Sequence, residues 1–285
     1  MAPVIVITGP TASGKSGLAM ELAERFNGEI ICADSRTLYK GMDIGTAKPT
    51  QGDQSRVLHH LLDVVEPGER YTAADFQSEA LRRIEMIRKR DNVPFMVGGT
   101  GLYIDAVVRE YEWPEWIKNE SDRKEFESHS TEELHTMIET QHLSMPSNLR
   151  NRRHLVNTLM RGGVEGKARP LPRENVHVVA IATDKTELEK RIRSRAHEMF
   201  KQGVVDEAKR LADQYGWDSE AMSSNIYPIV RRVIHDEITV DAAIELFVRK
   251  DIQLAKRQVT WLKRHDYVRW LSLDEARSYI ETTLA

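Results

Sequence analysis

Eight consecutive residues near the start, Gly9-Pro10-Thr11-Ala12-Ser13-Gly14-Lys15-Ser16, have the types and spacing of a phosphate cradle. Glycines let backbone N–H groups curl around an anion, Lys15 adds a point charge, and the Ser16 hydroxyl suits Mg²⁺. The apolar run Val4 to Ile7 precedes them and a helical pattern at Leu18, Leu22 and Phe26 follows, so the cradle would sit at the positive end of a helix. Such a loop binds phosphate without saying which phosphate. Further groups are delivered to the same place. Glu29 to Ala33 reads as a second buried strand ending in Asp34-Ser35-Arg36, and in open parallel sheets ligands gather at that edge. There Asp34 could hold Mg²⁺, accept a proton or cap the next turn. Val93 to Val97 is another short strand, ending in Gly98-Gly99-Thr100; this offers close backbone approach and a hydroxyl donor, or only a tight turn.

Strand and helix signals alternate around these groups. The 285-residue chain therefore reads as α/β, a P-loop NTPase-like parallel sheet flanked by helices, with an inserted helical subdomain. The core is expected at 1–111 and 176–285, and the insertion at 112–175, where Trp113, Pro114 and Trp116 open a charged, weakly periodic stretch. The segment from Leu38 to Pro49 has too many glycines for a helix and too little alternation for a strand, so it reads as a functional loop. Leu58 to Val65 is expected to pair as a strand, on which His59 and His60 face opposite sides and do not share a metal. Thr72 caps a helix with inward Phe76, Ala80, Ile84 and Ile87. After a strand at Val176 to Ile181, a helix starting at Thr183 or Asp184 carries the stripe Leu188, Ile192, Arg195, Met199. Either Arg195 turns inward to an anion such as a substrate diphosphate, or Ala196 fills the seam and Arg195 reaches water.

Composition narrows the class. A net charge of −3 gives no global attraction to nucleic acid, so any RNA contact needs local basic patches. Two exist: Arg150, Arg152, Arg153, Arg161, Lys167, Arg169 and Arg173 against the single acid Glu165, and a long helix from Val240 to Arg264 that carries Lys256 and Arg257. Trp261 and Trp270 continue apolar patterns and read as packing residues. A single cysteine, Cys32, rules out internal disulfides and cysteine-rich zinc sites. No signal pattern precedes the first strand, and no apolar run approaches the roughly 20 residues of a membrane span. The expectation is a cytoplasmic protein with no membrane partner.

Taken together, Gly9 to Ser16, Asp34-Ser35-Arg36, Tyr39 to Pro49, Tyr71 to Phe76, Gly98 to Tyr103 and Ala255-Lys256-Arg257-Gln258-Val259-Thr260-Trp261 closely resemble the tRNA dimethylallyltransferase family. The resemblance spans nearly the whole chain. It implies transfer of a prenyl group from dimethylallyl diphosphate to the exocyclic amine of an adenosine beside the tRNA anticodon, by a monomer using Mg²⁺. It also implies that Gly9, Thr11, Ala12, Ser13, Gly14, Lys15 and Ser16 hold the diphosphate, with Mg²⁺ near Ser16, that Arg195 steadies the leaving group, that Thr100 donates to the bridging oxygen, and that Asp34 is the general base. Ser35, Arg36, Tyr39, Lys48, Arg152, Arg153, Lys256 and Arg257 are the implied contacts to the anticodon stem-loop. Departures fall on the RNA side: Asn157-Thr158-Leu159-Met160 stands where members have Arg-Ala-Leu-Glu, Tyr227-Pro228 replaces a Gly-Tyr pair, and Ile252 replaces a frequent arginine. A P-loop kinase of a small metabolite, a prenyltransferase of free adenine nucleotides, and an RNA-binding protein without chemistry are the competing functions.

Overall fold

The computed structural model describes residues 1–115 and 117–285; Trp116, one of the markers of the composition shift, lies outside them. Along the chain the first half supplies β1 (Val4–Thr8), α1 (Lys15–Arg25), β2 (Gly28–Cys32), α2 (Gln51–Arg56), β3 (His59–His60), α3 (Ala73–Arg88), β4 (Val93–Val97) and α4 (Gly101–Val108). Three helices follow, α5 (Glu120–Ser128), α6 (Thr131–Thr140) and α7 (Arg152–Met160). The remainder contains β5 (Val176–Ile181), α8 (Lys185–Gln202), α9 (Val204–Tyr215), α10 (Tyr227–Ile234), α11 (Val240–Leu262), β6 (Arg269–Leu271) and α12 (Leu273–Leu284).

All six strands are parallel, in the order β3-β2-β4-β1-β5-β6. Strand β1 lies between β4 and β5, with Ile7 opposite Val97 and Thr8 opposite Ala180. Both faces of the sheet are covered, which explains why the strands read as continuous apolar runs. Val4, Val6, Ile31, Met96 and Val178 join the core on one face, where Phe76, Ile84 and Ile192 also lie. Ile5, Ile7, Ile30, Phe95 and Val179 face the other way, toward Leu18 and Leu22 of α1 and Ile280 of α12. Because a strand alternates its side chains, a slip of one residue would exchange these two cores. Parallel direction has a second effect: the loops after Thr8, Cys32 and Val97 emerge at one edge.

Local signals act where expected. Thr72 accepts from the Asp75 N–H, Asp75 returns the bond to the Thr72 N–H, and this capping box starts α3. Asp184 is the N-cap of α8. The strand expected over Leu58 to Val65 is reduced to His59–His60, since Leu61 (φ 62°) and Asp63 (φ 52°) are left-handed and break the extended chain; Val65 keeps only a bridge to Tyr39. His60 Nε2 donates to the Glu29 carboxylate, 2.7 Å away, which Arg90 and Asn92 also bond. Burial weighs against the charge of Glu29, but bonds from Arg90, His60 and Asn92 outweigh it and bring its carboxyl down to about 2.

The chain divides into two compact units, residues 1–108 with 171–285, and residues 109–170. Sequence composition set the boundaries of the second at 112 and 175. That unit has its own core of Phe126, Leu134, Ile138, Leu155, Val156, Leu159 and Met160. Within it the buried Arg123 donates to Asn157 Oδ1 at 3.3 Å and pairs with Glu127, while Arg169 pairs with Glu110, so Glu165 is not the only acid near the basic cluster. No helix of the described residues is long and apolar enough to cross a membrane.

Candidate active site

The loop after β1 is shaped by residues that tolerate left-handed backbone. Gly9 (φ 137°) and Gly14 (φ 93°) take positions strained for other residues, and a Cβ on Gly9 would stand 3.1 Å from the Ile181 backbone. Helix α1 starts at Lys15 with Gly14 as its N-cap and no side-chain cap, leaving its first N–H groups to a ligand. Lys15 Nζ donates to the Pro10 carbonyl at 3.1 Å and has no ion-pair partner among the described residues. Desolvation pushes its pKa down to about 8; Asp34 and Asp251 pull the other way and Arg195 reinforces the fall. Ser13 Oγ is buried without a hydrogen-bond partner, and Ser16 is exposed. Together these groups gather a cation, a hydroxyl and free N–H donors around one loop.

Helix α8 combines parts of both alternatives at its stripe. Ala196 is fully buried in the seam with Ile192 and Met199, and Arg195 turns toward the phosphate loop rather than to bulk water. Its Nη2 donates to Thr11 Oγ1 at 2.6 Å and to the Asp251 carboxylate, while Nε is buried and unpartnered. Asp251 is itself held by Asn225 Nδ2 at 2.8 Å.

Across the sheet edge, Asp34 Oδ1 accepts from the Arg36 N–H at 2.9 Å, so one oxygen does cap the turn. The Ser35 N–H donates to Thr100 Oγ1 at 3.0 Å, which fixes the Thr100 oxygen and leaves its own proton to donate elsewhere. Thr11, Lys15, Ser16, Asp34, Thr100 and Arg195 all line one open cavity of about 850 Å³. Apolar Ala19, Met20, Ile30 and Val97 line it as well, with Cys32, whose thiol burial pushes far up and so keeps protonated.

The loop expected from Leu38 to Pro49 closes part of the wall, and here two assignments need correction. Tyr39 is 3 % exposed, and the Lys48 side chain is 3 % exposed, with Nζ bound to Asp43 and Asp63 at 2.6 Å each and to the Tyr39 carbonyl at 2.9 Å. A lysine shared by two carboxylates with its side chain this deeply buried braces the loop instead of presenting a free cation. Arg36 donates to the Glu220 carbonyl and Ser223, beside Ser35 at the cavity. Lys256 and Arg257 are exposed on α11, and Arg257 lines the cavity. In the second unit Arg152 and Arg153 are exposed at the start of α7, Arg152 donating to the Glu127 carbonyl.

Several residues of consequence escaped the sequence reading. Glu207 accepts the N–H groups of Asp43, Ile44 and Gly45 at 2.8–2.9 Å and the Tyr227 hydroxyl at 2.9 Å, which locks the loop. Gly45 packs so closely on Tyr227 that a Cβ would stand 2.7 Å from its hydroxyl. Asp251, Gln258 and Asp105 do similar work from the helices. The signal was present: Glu207 and Asp251 are acids on the buried stripes of α9 and α11, where an unpaired carboxylate would not persist.

The sequence profile of the IPP transferase family matches residues 37–265. A tRNA dimethylallyltransferase of Prochlorococcus marinus (strain MIT 9301) is 35% identical over 275 residues, covering 94% of this chain and 92% of that protein. One from Synechococcus sp. (strain CC9902) is 36% identical over 292 residues, covering 99% and 98%. Among solved structures, the full-length tRNA isopentenylpyrophosphate transferase of Bacillus halodurans superposes with a TM-score of 0.75 at 31% identity, over 100% of this chain and 97% of that one. Matches of this identity over almost the full length of both partners, on a sheet that brings the expected groups to one cavity, make the chain a member of the IPP transferase family, whose curated relatives are tRNA dimethylallyltransferases.

Proposed function

We propose that the protein transfers a dimethylallyl group from dimethylallyl diphosphate to the N6 amine of the adenosine 3′ of the anticodon in tRNA, with release of diphosphate, as a monomer in the cytoplasm. One observation carries this reading: Lys15, which has no ion-pair partner among the described residues, and Arg195, whose Nε is unpartnered, border the same cavity as a carboxylate, Asp34, and a hydroxyl donor, Thr100. The α1 N-terminus, Lys15 and Arg195 hold the diphosphate. Thr100, its oxygen fixed by the Ser35 N–H, donates to the bridging oxygen, where negative charge grows as the bond to carbon breaks. The amine nitrogen bonds to that carbon, and its proton passes to Asp34, a weak base that suffices because the amine becomes acidic as it alkylates. Ser16 suits Mg²⁺, which binds through few protein oxygens plus substrate phosphates; among the described residues no three His, Cys, Asp or Glu side chains cluster as an all-protein site. When bound, the ion spreads the charge of the leaving group.

On the acceptor side, each unit carries exposed cations of its own, Arg152 and Arg153 in one and Lys256 and Arg257 in the other, more than a free nucleotide would need. The test is nucleoside mass spectrometry of tRNA after incubation with dimethylallyl diphosphate, with an anticodon stem-loop and AMP compared at several salt concentrations. Adenosine in the stem-loop should gain one isoprene unit without ATP, and its binding should weaken with salt as counterion release requires. ATP hydrolysis coupled to product, or equal prenylation of AMP, would refute the reading.

A further inference from the structure

Gln258 of α11 joins two loops far apart in sequence. Its Oε1 accepts the Thr11 N–H of the phosphate loop at 2.8 Å, and its Nε2 donates to the Gly99 carbonyl at 3.1 Å, one residue before Thr100. A primary amide can accept from one loop and donate to the other at once, which a carboxylate or an ammonium cannot. The fit is close. A Cβ on Gly99 would stand 2.3 Å from Gln258 Nε2 and 3.2 Å from its Cδ, while the next neighbour, the Gly9 carbonyl oxygen, is 3.6 Å away. Gly99 has no positive φ to explain it, so the amide is what excludes a side chain there.

Helix α11 is itself seated so that Gln258 cannot drift. One turn on, Trp261 Nε1 donates to the buried Asp105 at 2.7 Å, the Tyr267 hydroxyl donates to the same carboxylate at 2.8 Å, and His265 Nε2 lies 2.9 Å from it. The Trp261 ring covers Gly101, where a Cβ would meet it at 2.3 Å. A rigid mount therefore carries an amide that touches both loops, and Gln258 also lines the cavity.

We propose that Gln258 is a positioning residue, which sets the spacing between the phosphate cradle and Thr100 so that the bridging oxygen of the bound donor falls within reach of the Thr100 hydroxyl. This rests on the reading of the site given above. Lys15, Arg195 and the α1 N-terminus bind the donor, so loss of the amide lowers turnover far more than donor affinity. Misplacement of a reacting group by about 1 Å costs on the order of a hundredfold.

The experiment is a double-mutant cycle of Gln258→Ala and Gly99→Ala, measuring prenyl transfer to an anticodon stem-loop together with thermal unfolding. Each single variant should lower kcat by about 10- to 100-fold, with the donor KM within about threefold of the unmodified chain and the Tm little changed. The double variant should lie within about twofold of Gln258→Ala, because with the amide gone the new Cβ at position 99 has room. A kcat for Gln258→Ala within about threefold of the unmodified chain, or losses that multiply in the double variant, would overturn the proposal. Should Gln258→Ala fail to fold, Gln258→Met keeps the bulk without the amide and carries the same expectation. An unmodified chain that transfers no prenyl group overturns the underlying reading and this inference with it; an active one with an indifferent Gln258 overturns this inference alone.

Discussion

The phosphate loop and the Gly41 to Pro49 loop border the same cavity, yet their polar groups are settled in opposite ways. In the first, Lys15 reaches only a carbonyl, Ser13 Oγ and Arg195 Nε are buried without partners, and a helix N-terminus goes uncapped. In the second, one carboxylate takes three successive N–H groups and one ammonium takes two carboxylates. Buried polar groups left unmatched cost stability, so several of them gathered beside one cavity make a candidate ligand site, whereas matched ones brace the fold. The rule also separates two lysines that look alike in sequence, Lys15 and Lys48.

This contrast can be broken by experiment. Asp34→Asn should lower turnover by about a hundredfold or more, the scale expected for a positioned base, and leave the Tm nearly unchanged. Kinetics and calorimetry on one preparation decide it, and turnover within a few-fold of the parent would remove Asp34 from the mechanism. Glu207→Gln should behave in reverse. An amide cannot accept all four donors, so thermal unfolding should show a loss of about 2–4 kcal/mol, while turnover at low temperature stays within about tenfold. If turnover collapsed with no change in Tm, the loop would belong with the chemistry instead. The smallest effect concerns pH. Burial lowers the Lys15 pKa from 10.5 to about 8, and a diphosphate favours the charged form. Donor affinity should be flat below pH 8 and fall by up to about tenfold per unit above it, with proton uptake on binding measurable by calorimetry in buffers of different ionisation heat. Without donor the sign reverses: the unfolded chain holds the Lys15 proton more tightly, so this residue makes the fold more stable as pH rises from 8 toward 10.5. A pH-independent donor affinity would show that Lys15 is not the charge the donor meets.

Much of the architecture was legible because it is local. Apolar runs of strand length, the capping box at Thr72 and Asp75, and the glycines of the phosphate loop are decided by neighbours in sequence. Asp34 and Thr100 were legible for a related reason, since parallel strands deliver whatever follows them to one edge. Tyr39 and Lys48 misled because their loop reads as polar and exposed, whereas partners at Asp63 and Glu207 pull it inward. Asp251 depends on α11 meeting Arg195 of α8, and Gln258 on its meeting loops more than a hundred residues earlier. The stripe of α11 marks Asp251 as a buried acid but names no partner for it, and no periodicity marks Gln258. The strand lost between Leu61 and Val65 is the opposite case, where left-handed backbone overrode a β-prone composition.

The central position of β1 governs the order in which a ribosome can complete this molecule. Strand β1 leaves first and finds β4 only after β2 and β3 have been made, and its other neighbour, β5, is synthesised after the whole 109–170 unit. The amide that braces the phosphate loop arrives later still, on α11. A nascent chain thus carries Lys15, Asp34 and Thr100, which follow β1, β2 and β4, before β5 and α11 arrive to complete their surroundings, and closing such distant pairings is slow. The second unit, with a core of its own, can gather during that interval, so that prenyl-transfer competence appears as one of the last events of synthesis.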